Sequence, residues 1–396
     1  MTFRRRQLPN LLGGGACLAI VGASARAAVE SARRGGFSAI AADLFADADL
    51  ARQAPVHLLR EYPAELAAWL PAAPCDAWMY VGGLENSPRL LDRLAAVRPL
   101  WGNEAAVVRR VRSPRQLAAC VRSGGWLYPE SYLAGSREAD AARRRAPRAW
   151  LWKPLRGAGG RGIRRLAPGD PAPPRGLVQR RIAGLSLAAL YLGNRRTAIC
   201  LGVTRQIIGA PWTGGGDFRY GGTLAPWPAA PRIVGSLEHL GRALAAEFGL
   251  VGLFGVDLLL DGDRFWVLEV NPRYTAGAEA IERATDAPLA AWHAAACLAG
   301  ELPDAPPAPR RHAGKAILYA AAPLVVAPRL AEELLSRAAP ADNPRWADVP
   351  PAGARCGPGQ PILTVVAAGA DSTAVEDLLR TELTGLAARL ARGEAR

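Results

Sequence analysis

Apolar and amphipathic segments alternate along the first third of the chain. The expected elements are, in order, a strand at 17–24, a helix at 26–34, strands at 37–45 and 76–82, a helix at 87–97 and a strand at 98–101. Short buried strands that alternate with helices are typical of an open, mostly parallel sheet. The sequence therefore predicts an N-terminal α/β domain.

The pattern changes in the second half of the chain. GLFGVDLLL at 252–260 and RFWVLEVNPR at 264–273 flank an Asp-Gly turn, which predicts a β-hairpin. Between the two halves, residues 113–150 are polar and arginine-rich, which indicates a linker or a domain edge. The predicted class is α/β, with α+β character in the central part. The predicted domains are 1–112, 113–305 and 306–396.

Composition limits the classes of function. The 396 residues are half apolar, yet no run is long enough to cross a membrane, so a globular chain with an ample core is expected. The net charge of +14 comes from scattered arginines, without a basic patch interleaved with aromatic residues. The six cysteines form no CxxC pair and no histidine lies at metal-ligand spacing. These features predict reduced thiols, a cytoplasmic location, and neither nucleic-acid nor membrane binding.

Two interpretations compete at the N-terminus. The stretch RRRQLPNLLGGGACLAIVGASARA has an arginine cluster, an apolar run and an A-x-A-like site, which is the outline of a twin-arginine export signal. CLAIVGAS, however, has the composition of a buried strand, and removal of the first 27 residues would delete the opening strand of a βαβ unit. We therefore favour a strand of the fold at this position.

A nucleotide site in this first unit has little support. The turn GASAR at 22–26 lacks the full GxGxxG spacing of a dinucleotide fingerprint. Asp43, at the end of the second strand, has the position of a ribose-binding acid, but a solvated strand end has the same appearance. Both interpretations of Asp43 stay open at this stage.

Lys153 is one of only two lysines among the 49 basic residues. It ends the apolar strand AWLWK and precedes four glycines in six positions, Gly157, Gly159, Gly160 and Gly162. The backbone N–H groups of such a loop can wrap an anion, and an ammonium adds a compact charge where a planar guanidinium fits poorly. Taken alone, this stretch leaves two interpretations open, a phosphate site and an ordinary glycine turn of the same composition.

Three oxygen-bearing side chains converge on the predicted hairpin. Glu269 and Asn271 are two residues apart and share a face, and the returning strand brings them near Asp257. Their apolar neighbours indicate burial, which is costly for acids without a metal. Because Mg2+ prefers a few protein oxygens plus water and phosphate, the sequence predicts a magnesium site here. The alternative is an ordinary surface hairpin.

The lysine, the glycine-rich loop and the Asp…Glu-x-Asn-Pro-Arg hairpin together resemble the ATP-grasp superfamily, in particular its predicted carboligases related to biotin carboxylase. VGGLENSP at 81–88 is similar to the family's N-domain loop, and LVQRRIAG at 177–184 to its adenine-binding hinge. ADVPPAGARCGPGQPILTV at 347–365 is similar to its C-terminal β segment. The resemblance implies an ATP-grasp fold with an N-terminal open parallel-sheet domain and a small β-rich segment that closes over the site.

The resemblance also implies a role for each matching residue. Lys153 would contact the α and β phosphates of ATP, and the loop from Gly157 to Gly162 would cover the β and γ phosphates. Gln179 and the Ile182 backbone would hold adenine. The implied Mg2+ ligands, with Mn2+ as an alternative ion, are Asp257, Glu269 and Asn271.

This sequence departs from the family at several positions. Arg115 stands where the family has a first ATP-binding lysine, and we expect it to substitute. Gln179 and Ser186 stand where the hinge commonly has glutamates, so the ribose contacts differ. Lys315, in GKAILYA, is either an ordinary strand-start lysine or a ligand, and the sequence leaves both open.

The resemblance implies an ATP- and Mg2+-dependent ligase that activates a carboxylate as an acyl phosphate for attack by an amine. Arg273 is suited to bind the acyl phosphate, because it can hold two oxygens at once. Arg219 and Tyr220, in a glycine-rich loop at 214–227, could read the acid, or the loop could be a simple turn. The other candidate substrate contacts are Glu85 and Gly222.

Two other functions remain open. One is a biotin-carboxylase-like enzyme that activates bicarbonate, and the other is a non-catalytic ATP-binding protein. The expected partners of the favoured ligase are a small carboxylate and an amine, and a homodimer is left open.

Overall fold

The N-terminal part of the chain forms an open parallel sheet. The computed structural model describes residues 15–339 and 342–392. The strands of this sheet are β1 (Cys17–Gly22), β2 (Ser38–Asp43), β3 (Val56–Leu58) and β4 (Ala77–Tyr80). They pair in parallel in the order β3-β2-β1-β4, which confirms the predicted sheet. CLAIVG is therefore a strand of the fold, whereas the arginine cluster at 4–6 lies outside the described residues.

Helices flank this sheet and lead to the next. They are α1 (Arg26–Arg34), α2 (Ala48–Ala51), α3 (Leu66–Ala72), α4 (Pro88–Ala95), α5 (Ala105–Val111), α6 (Pro114–Ser123) and α7 (Arg137–Arg145). The prediction of α1 is confirmed at both ends, but the strand expected at 98–101 is wrong. Only Leu100 bridges to Trp78, because the N–H groups of Val97 and Arg98 bond back to Leu94 and Pro99 has none to donate.

Asp43 stabilises the turn between β1 and α1. Its side chain is fully buried, and it accepts hydrogen bonds from the backbone N–H groups of Ala25 at 2.6 Å, Phe45 at 2.7 Å and Ala46 at 2.9 Å. Because both carboxylate oxygens are engaged by the backbone, Asp43 is neither a solvated strand end nor a free ribose acceptor. Its burial raises the pKa of the carboxyl, although these hydrogen bonds oppose the shift.

Two antiparallel sheets form the rest of the fold. The strands of the smaller sheet are β5 (Ser131–Leu133), β6 (Trp150–Pro154), β7 (Arg164–Arg165) and β8 (Gly176–Arg180). The strands that follow are β9 (Leu185–Asn194), β10 (Ala198–Ile208), β11 (Tyr220–Ala225), β12 (Val251–Asp261), β13 (Arg264–Asn271), β14 (His312–Tyr319), β15 (Leu324–Val325), β16 (Arg345–Ala347), β17 (Arg355–Cys356) and β18 (Pro361–Gly369). The smaller sheet has the order β5-β8-β6-β7, and the larger has the order β13-β12-β9-β10-β11-β14-β18-β16. β15 and β17 pair separately.

Helices cover both faces of the larger sheet. They are α8 (Pro231–Phe248), α9 (Ala276–Thr285), α10 (Leu289–Ala299), α11 (Pro328–Ser336) and α12 (Ser372–Ala391). Alternate residues of β9 face opposite sides, so Tyr191 packs with α8 while Leu190 and Leu192 pack with α9 and α10. Three strands after residue 305 extend the larger sheet, so the domain boundary at 305 stays a prediction. Within residues 15–339 and 342–392, no helix is both long and apolar enough to span a membrane.

A buried ionic network joins three parts of the chain. Arg26 of α1 pairs with Glu279 of α9 at 2.6 Å and with Asp348, beyond β16, at 2.8 Å. Lys315 lies inside β14, is buried, and pairs with Glu279 at 2.9 Å. Desolvation alone would raise the pKa of Glu279, but the charges of Arg26 and Lys315 lower it well below its usual value. Lys315 is therefore a buried ion-pair partner within its strand, not a strand-start lysine.

We expect Arg26→Ala to lower the free energy of unfolding by about 3–5 kcal/mol, because it leaves buried carboxylates without their counter-charge. Urea titration followed by circular dichroism measures this loss. The control is Arg232→Ala, which breaks an exposed pair with Asp263 and should cost less than about 1 kcal/mol. Equal losses in the two variants would contradict a structural role for the network.

Candidate active site

The β12–β13 hairpin brings its polar side chains together. Its register pairs Asp257 with Glu269. Asn271 donates from Nδ2 to Asp257 Oδ2 at 3.1 Å, and Gln206 of β10 donates from Nε2 to Asp257 Oδ1 at 2.9 Å. The predicted convergence of the three residues is thus present, whereas no sequence pattern indicated Gln206. Their role as metal ligands stays a prediction.

The pKa values of the two hairpin carboxyls shift in opposite directions. Burial and the charge of Glu269 raise the pKa of Asp257 to about 7. Desolvation would also raise the pKa of Glu269, but the charges of Lys153 and Arg112 lower it below its usual value. The expectation of buried acids needs correction, because Glu269 is exposed to the cleft and Asp257 is half-buried.

The chemistry of these donors fits Mg2+. Two carboxylates and one amide oxygen are hard oxygen ligands of the kind that Mg2+ prefers. No group of three or more His, Cys, Asp or Glu residues that could hold a metal occurs in the described part of the chain. The ion would therefore take the Asn271 amide, water and phosphate oxygens to complete its shell, as Mg2+ commonly does.

Lys153 faces this hairpin from the smaller sheet. Its Nζ donates to Gln179 Oε1 at 3.3 Å, and Gln179 Nε2 donates to Ser131 Oγ at 3.1 Å. Strand alternation places the three residues on one face, opposite the apolar face that packs on α7. The segment before β5 bridges to β13 through Leu127 and Trp266, and the loop after β6 bonds to Tyr220 of β11, so the smaller sheet lies against the larger sheet beside the hairpin. The adenine contacts of Gln179 and Ile182 stay predictions, and Ile182 lies just beyond β8.

The glycine-rich loop joins β6 to β7 and touches the larger sheet. Gly159, Gly160 and Gly162 have φ values of +57°, +76° and +81°. A Cβ on Gly160 would lie 1.8 Å from the Phe218 carbonyl oxygen, and the Tyr220 N–H donates to the Gly159 carbonyl at 3.1 Å. Glycine is therefore required at position 160 both by conformation and by close contact.

A cavity of about 810 Å³ lies between helix α6 and the smaller sheet. Its lining includes Tyr128, Ser131, Leu177, Arg112 and Arg115. Arg115 is exposed, whereas Arg112 is more buried and donates to Asn86 Oδ1 at 3.0 Å. Sequence reasoning missed Arg112, and the only signal for it was a further arginine three residues before Arg115. The basic lining suits a polyanion such as a triphosphate.

Glu85 and Arg273 form a buried pair at the edge of the cleft. Arg273 Nε donates to Glu85 Oε1 at 2.8 Å, and Arg273 Nη2 donates to Asn271 Oδ1 at 3.3 Å. Glu85 also lies 3.7 Å from Arg112 and accepts from the Gly83 N–H at 2.7 Å. These contacts hold the Arg273 guanidinium next to the hairpin and favour an orienting role for Glu85.

The loop expected at 214–227 is shorter in the structure. Tyr220 and Gly222 belong to β11, so only the residues before Tyr220 form a loop. A Cβ on Gly222 would lie 2.2 Å from the Lys315 carbonyl oxygen, so this glycine permits close strand pairing. Arg219 lies over the Tyr319 ring, 4.8 Å from its centroid. Substrate contacts by these residues stay predictions.

Comparison with known proteins bears directly on this cleft. Residues 127–277 match the model of the ATP-grasp domain, a range that contains the smaller sheet, the glycine-rich loop and the hairpin. The carbamoyl phosphate synthase large chain of Myxococcus xanthus is 27% identical over 218 residues, which are 51% of this chain and 20% of that protein. The chain thus matches about a fifth of the length of this relative.

Solved structures share the whole architecture. The biotin carboxylase domain of the Hydrogenobacter thermophilus 2-oxoglutarate carboxylase, solved with MgADP, ADP and bicarbonate, superposes with a TM-score of 0.70 at 13% identity, covering 92% of this chain and 89% of that one. N5-carboxyaminoimidazole synthase of Aspergillus clavatus, solved with ADP and 5-aminoimidazole ribonucleotide, gives 0.70 at 15% identity, covering 94% and 99%. At these identities the likeness establishes the fold alone. Residues 127–277 are therefore similar to the ATP-grasp domain, and the chain as a whole shares the fold of these solved structures.

Proposed function

We propose that this protein is an ATP- and Mg2+-dependent ligase that joins a carboxylate to an amine through an acyl phosphate. The observation that carries the proposal is that the smaller sheet, which holds Lys153 and the glycine-rich loop, contacts the larger sheet beside the Asp257–Glu269 pair. A cation on one wall and paired carboxylates on the other suit a triphosphate with its metal ion. The ATP-grasp domain match and the ADP-bound structural neighbours support the same nucleotide chemistry.

The chain's own residues would position and neutralise the reacting groups. Lys153 would neutralise phosphate charge, and the backbone N–H groups of the glycine-rich loop would bind phosphate oxygens. Asp257, Glu269 and Asn271 would hold Mg2+, which supplies positive charge against the phosphate oxygens when bound. Arg273, fixed by Glu85, would bind the oxygens of the acyl phosphate.

The proposed reaction has two steps. An oxygen of the substrate carboxylate forms a bond to the γ-phosphorus, the bond from that phosphorus to the β–γ bridging oxygen breaks, and ADP leaves. The amine nitrogen then bonds to the acyl carbon, inorganic phosphate leaves, and the nitrogen loses a proton. Because most of this catalysis is positioning and charge stabilisation, the cleft does not need a histidine base.

We expect hydroxylamine to trap the acyl phosphate as a hydroxamate when the protein is incubated with ATP, Mg2+ and its organic acid, without biotin or bicarbonate. A panel of organic acids, assayed for ADP and hydroxamate, checks this result, with Lys153→Ala protein as the blank. ADP release that strictly requires bicarbonate, with no hydroxamate from any acid, would favour the carboxylase function instead. ATP binding without any ADP release would indicate a non-catalytic protein.

The finer assignments are part of this proposal. We infer small carboxylate and amine substrates, a cytoplasmic location, and domains at 1–112, 113–305 and 306–396. The H. thermophilus biotin carboxylase domain is described as a dimer, which supports testing a homodimer for this chain. Light scattering of the purified protein would measure that state directly.

A further inference from the structure

A row of polar side chains crosses the larger sheet on the side that faces the cleft. We call this row the cleft floor, and its members are Asp257, Gln206, Thr223 and Lys315. The Gln206 side chain on β10 reaches over β9 to Asp257 on β12. The β9 residue paired with Asp257 is Ala188, which is small enough to leave room for it. The strand register then pairs Gln206 with Thr223, and Thr223 with Lys315. Since paired residues share a face, the row runs from β12 to β14 on the cleft side of the sheet.

Arg219 and two tyrosines lie at the far end of this floor. The Arg219 guanidinium covers the ring of Tyr319, the last residue of β14, at 4.8 Å from the ring centroid. Tyr319 Oη donates to the Tyr220 carbonyl oxygen at 2.7 Å, which fixes the ring under the guanidinium. A stacked guanidinium keeps its edge N–H groups available, and that edge matches the two oxygens of a carboxylate.

This group of residues has unused donors. Arg219 Nε and Tyr220 Oη are buried and have no hydrogen-bond partner. Lys315 and Arg273 each have a carboxylate partner. Within residues 15–339 and 342–392, no carboxylate pairs with Arg219. Buried donors and charges normally have partners, so a ligand with an acidic group fits this position.

Arg219 and Arg273 are too far apart to bind one carboxylate. Arg273 follows β13 and Arg219 precedes β11, and three strands lie between β13 and β11. At about 4.8 Å per strand, this separation is about 19 Å across the sheet. Arg219 also leans onto Tyr319 of β14, away from β13. An acid whose reacting carboxylate lies at Arg273 would therefore need a second anionic group to reach Arg219.

We propose that Arg219, stacked on Tyr319, forms a second anion subsite, so that the acid substrate carries a second acidic group. This inference rests on the ligase function proposed above, in which Arg273 binds the reacting end. The recognised chemistry is a planar or tetrahedral oxyanion, which a carboxylate or a phosphate group supplies.

The subsite lies directly beside the loop that would cover the ATP phosphates. The Tyr220 N–H donates to the Gly159 carbonyl at 3.1 Å, and Gly160 packs on the Phe218 carbonyl. Gly214 and Gly215 pack closely on Tyr319, since a Cβ on Gly214 would lie 2.9 Å from its carbonyl oxygen and a Cβ on Gly215 would lie 3.0 Å from its ring. Substrate bound at Arg219 would therefore order the surface on which the glycine-rich loop rests.

Calorimetric titration of the full-length protein with MgADP tests the subsite without turnover. The probes are matched pairs, sebacate with decanoate and dodecanedioate with dodecanoate, which are long enough for the two ends to approach both arginine side chains, and 10-phosphonodecanoate provides the phosphate-like arm. We expect at least one dicarboxylate to bind about tenfold or more tighter than the monocarboxylate of the same length. Arg219→Ala should remove this difference, and Arg219→Lys should recover only part of it. Tighter binding of the phosphonate or of the dicarboxylate identifies the second group.

The matched control is Arg165→Ala. Arg165 stacks on the Phe218 ring as Arg219 stacks on the Tyr319 ring, but its side chain is exposed to solvent. Its loss should therefore leave the preference for dicarboxylates unchanged. Equal binding of all pairs by the wild type, or a preference that survives Arg219→Ala, would overturn the proposal. If Arg219-dependent binding occurs without any hydroxamate, the subsite stands and the ligase function fails. If monocarboxylates give hydroxamate and a second acidic group does not increase the binding affinity, the ligase function is supported and the subsite is contradicted.

Discussion

Lys153→Ala is expected to lower kcat/KM for ATP by about a hundredfold or more while leaving the fold intact. The lysine is the cation of the smaller sheet that acts on Glu269 across the cleft, and no other lysine lies on that sheet. Its removal would leave the phosphates without that charge. Initial rates of ADP release give the loss, and an unchanged melting temperature shows that the variant is folded.

Lys153→Arg should also be impaired, because a planar guanidinium is larger than an ammonium and prefers two partners at once. The matched control is Arg164→Ala on the neighbouring strand β7. Arg164 stacks on Trp152, on the opposite face of the same sheet, so this variant should keep its rate. Wild-type turnover by Lys153→Arg would refute the argument that this position requires an ammonium.

Glu269→Ala, Asp257→Ala and Asn271→Ala are each expected to raise the Mg2+ concentration needed for half-maximal activity by about tenfold or more. Glu269 should have the largest effect, because it is the exposed carboxylate of the pair and can bridge two ions. The measurement is ADP release across an Mg2+ titration. Direct binding of Mn2+, followed by electron paramagnetic resonance, gives a second readout that is independent of turnover.

The control for this series is Asp261→Ala. Asp261 ends β12 at the turn of the same hairpin, where it is exposed and pairs in register with Arg264. The variant removes a carboxylate from the hairpin without touching the cleft, so its Mg2+ requirement should match that of the wild type. Normal Mg2+ dependence in all three cleft variants would remove the metal assignment.

Local patterns were sufficient for the elements that frame the cleft. Three elements depend on residues that are close together in sequence, so the sequence was enough to predict them. They are the strand β1, the helix α1 with both its ends, and the hairpin around its Asp-Gly turn. The pairing of Glu269 with Asp257 did not follow from the turn, because the register shifts by one residue at a bulge between Asp257 and Leu258. The ATP-grasp architecture followed from motif order.

The partners of these residues required the tertiary structure. Arg112 reaches Glu85, and Gln206 reaches Asp257 across an intervening strand, through contacts that no local periodicity encodes. The strand predicted at 98–101 was wrong for a different reason. The N–H groups of Val97 and Arg98 donate to the Leu94 carbonyl at the end of the preceding helix, so they are not available to a strand.

The sequence by itself determined the fold class, the hairpin and the unusual choice of lysine at position 153, since these depend on short-range turn chemistry and on side-chain type. Only the tertiary structure decided which charges are neutralised. Glu279 meets Arg26, which is 253 residues away, whereas Arg219 meets no carboxylate in the described chain. The physical reason is that burial and Coulomb interactions depend on distance in space, and the packing of sheets and helices sets that distance after the local elements have formed.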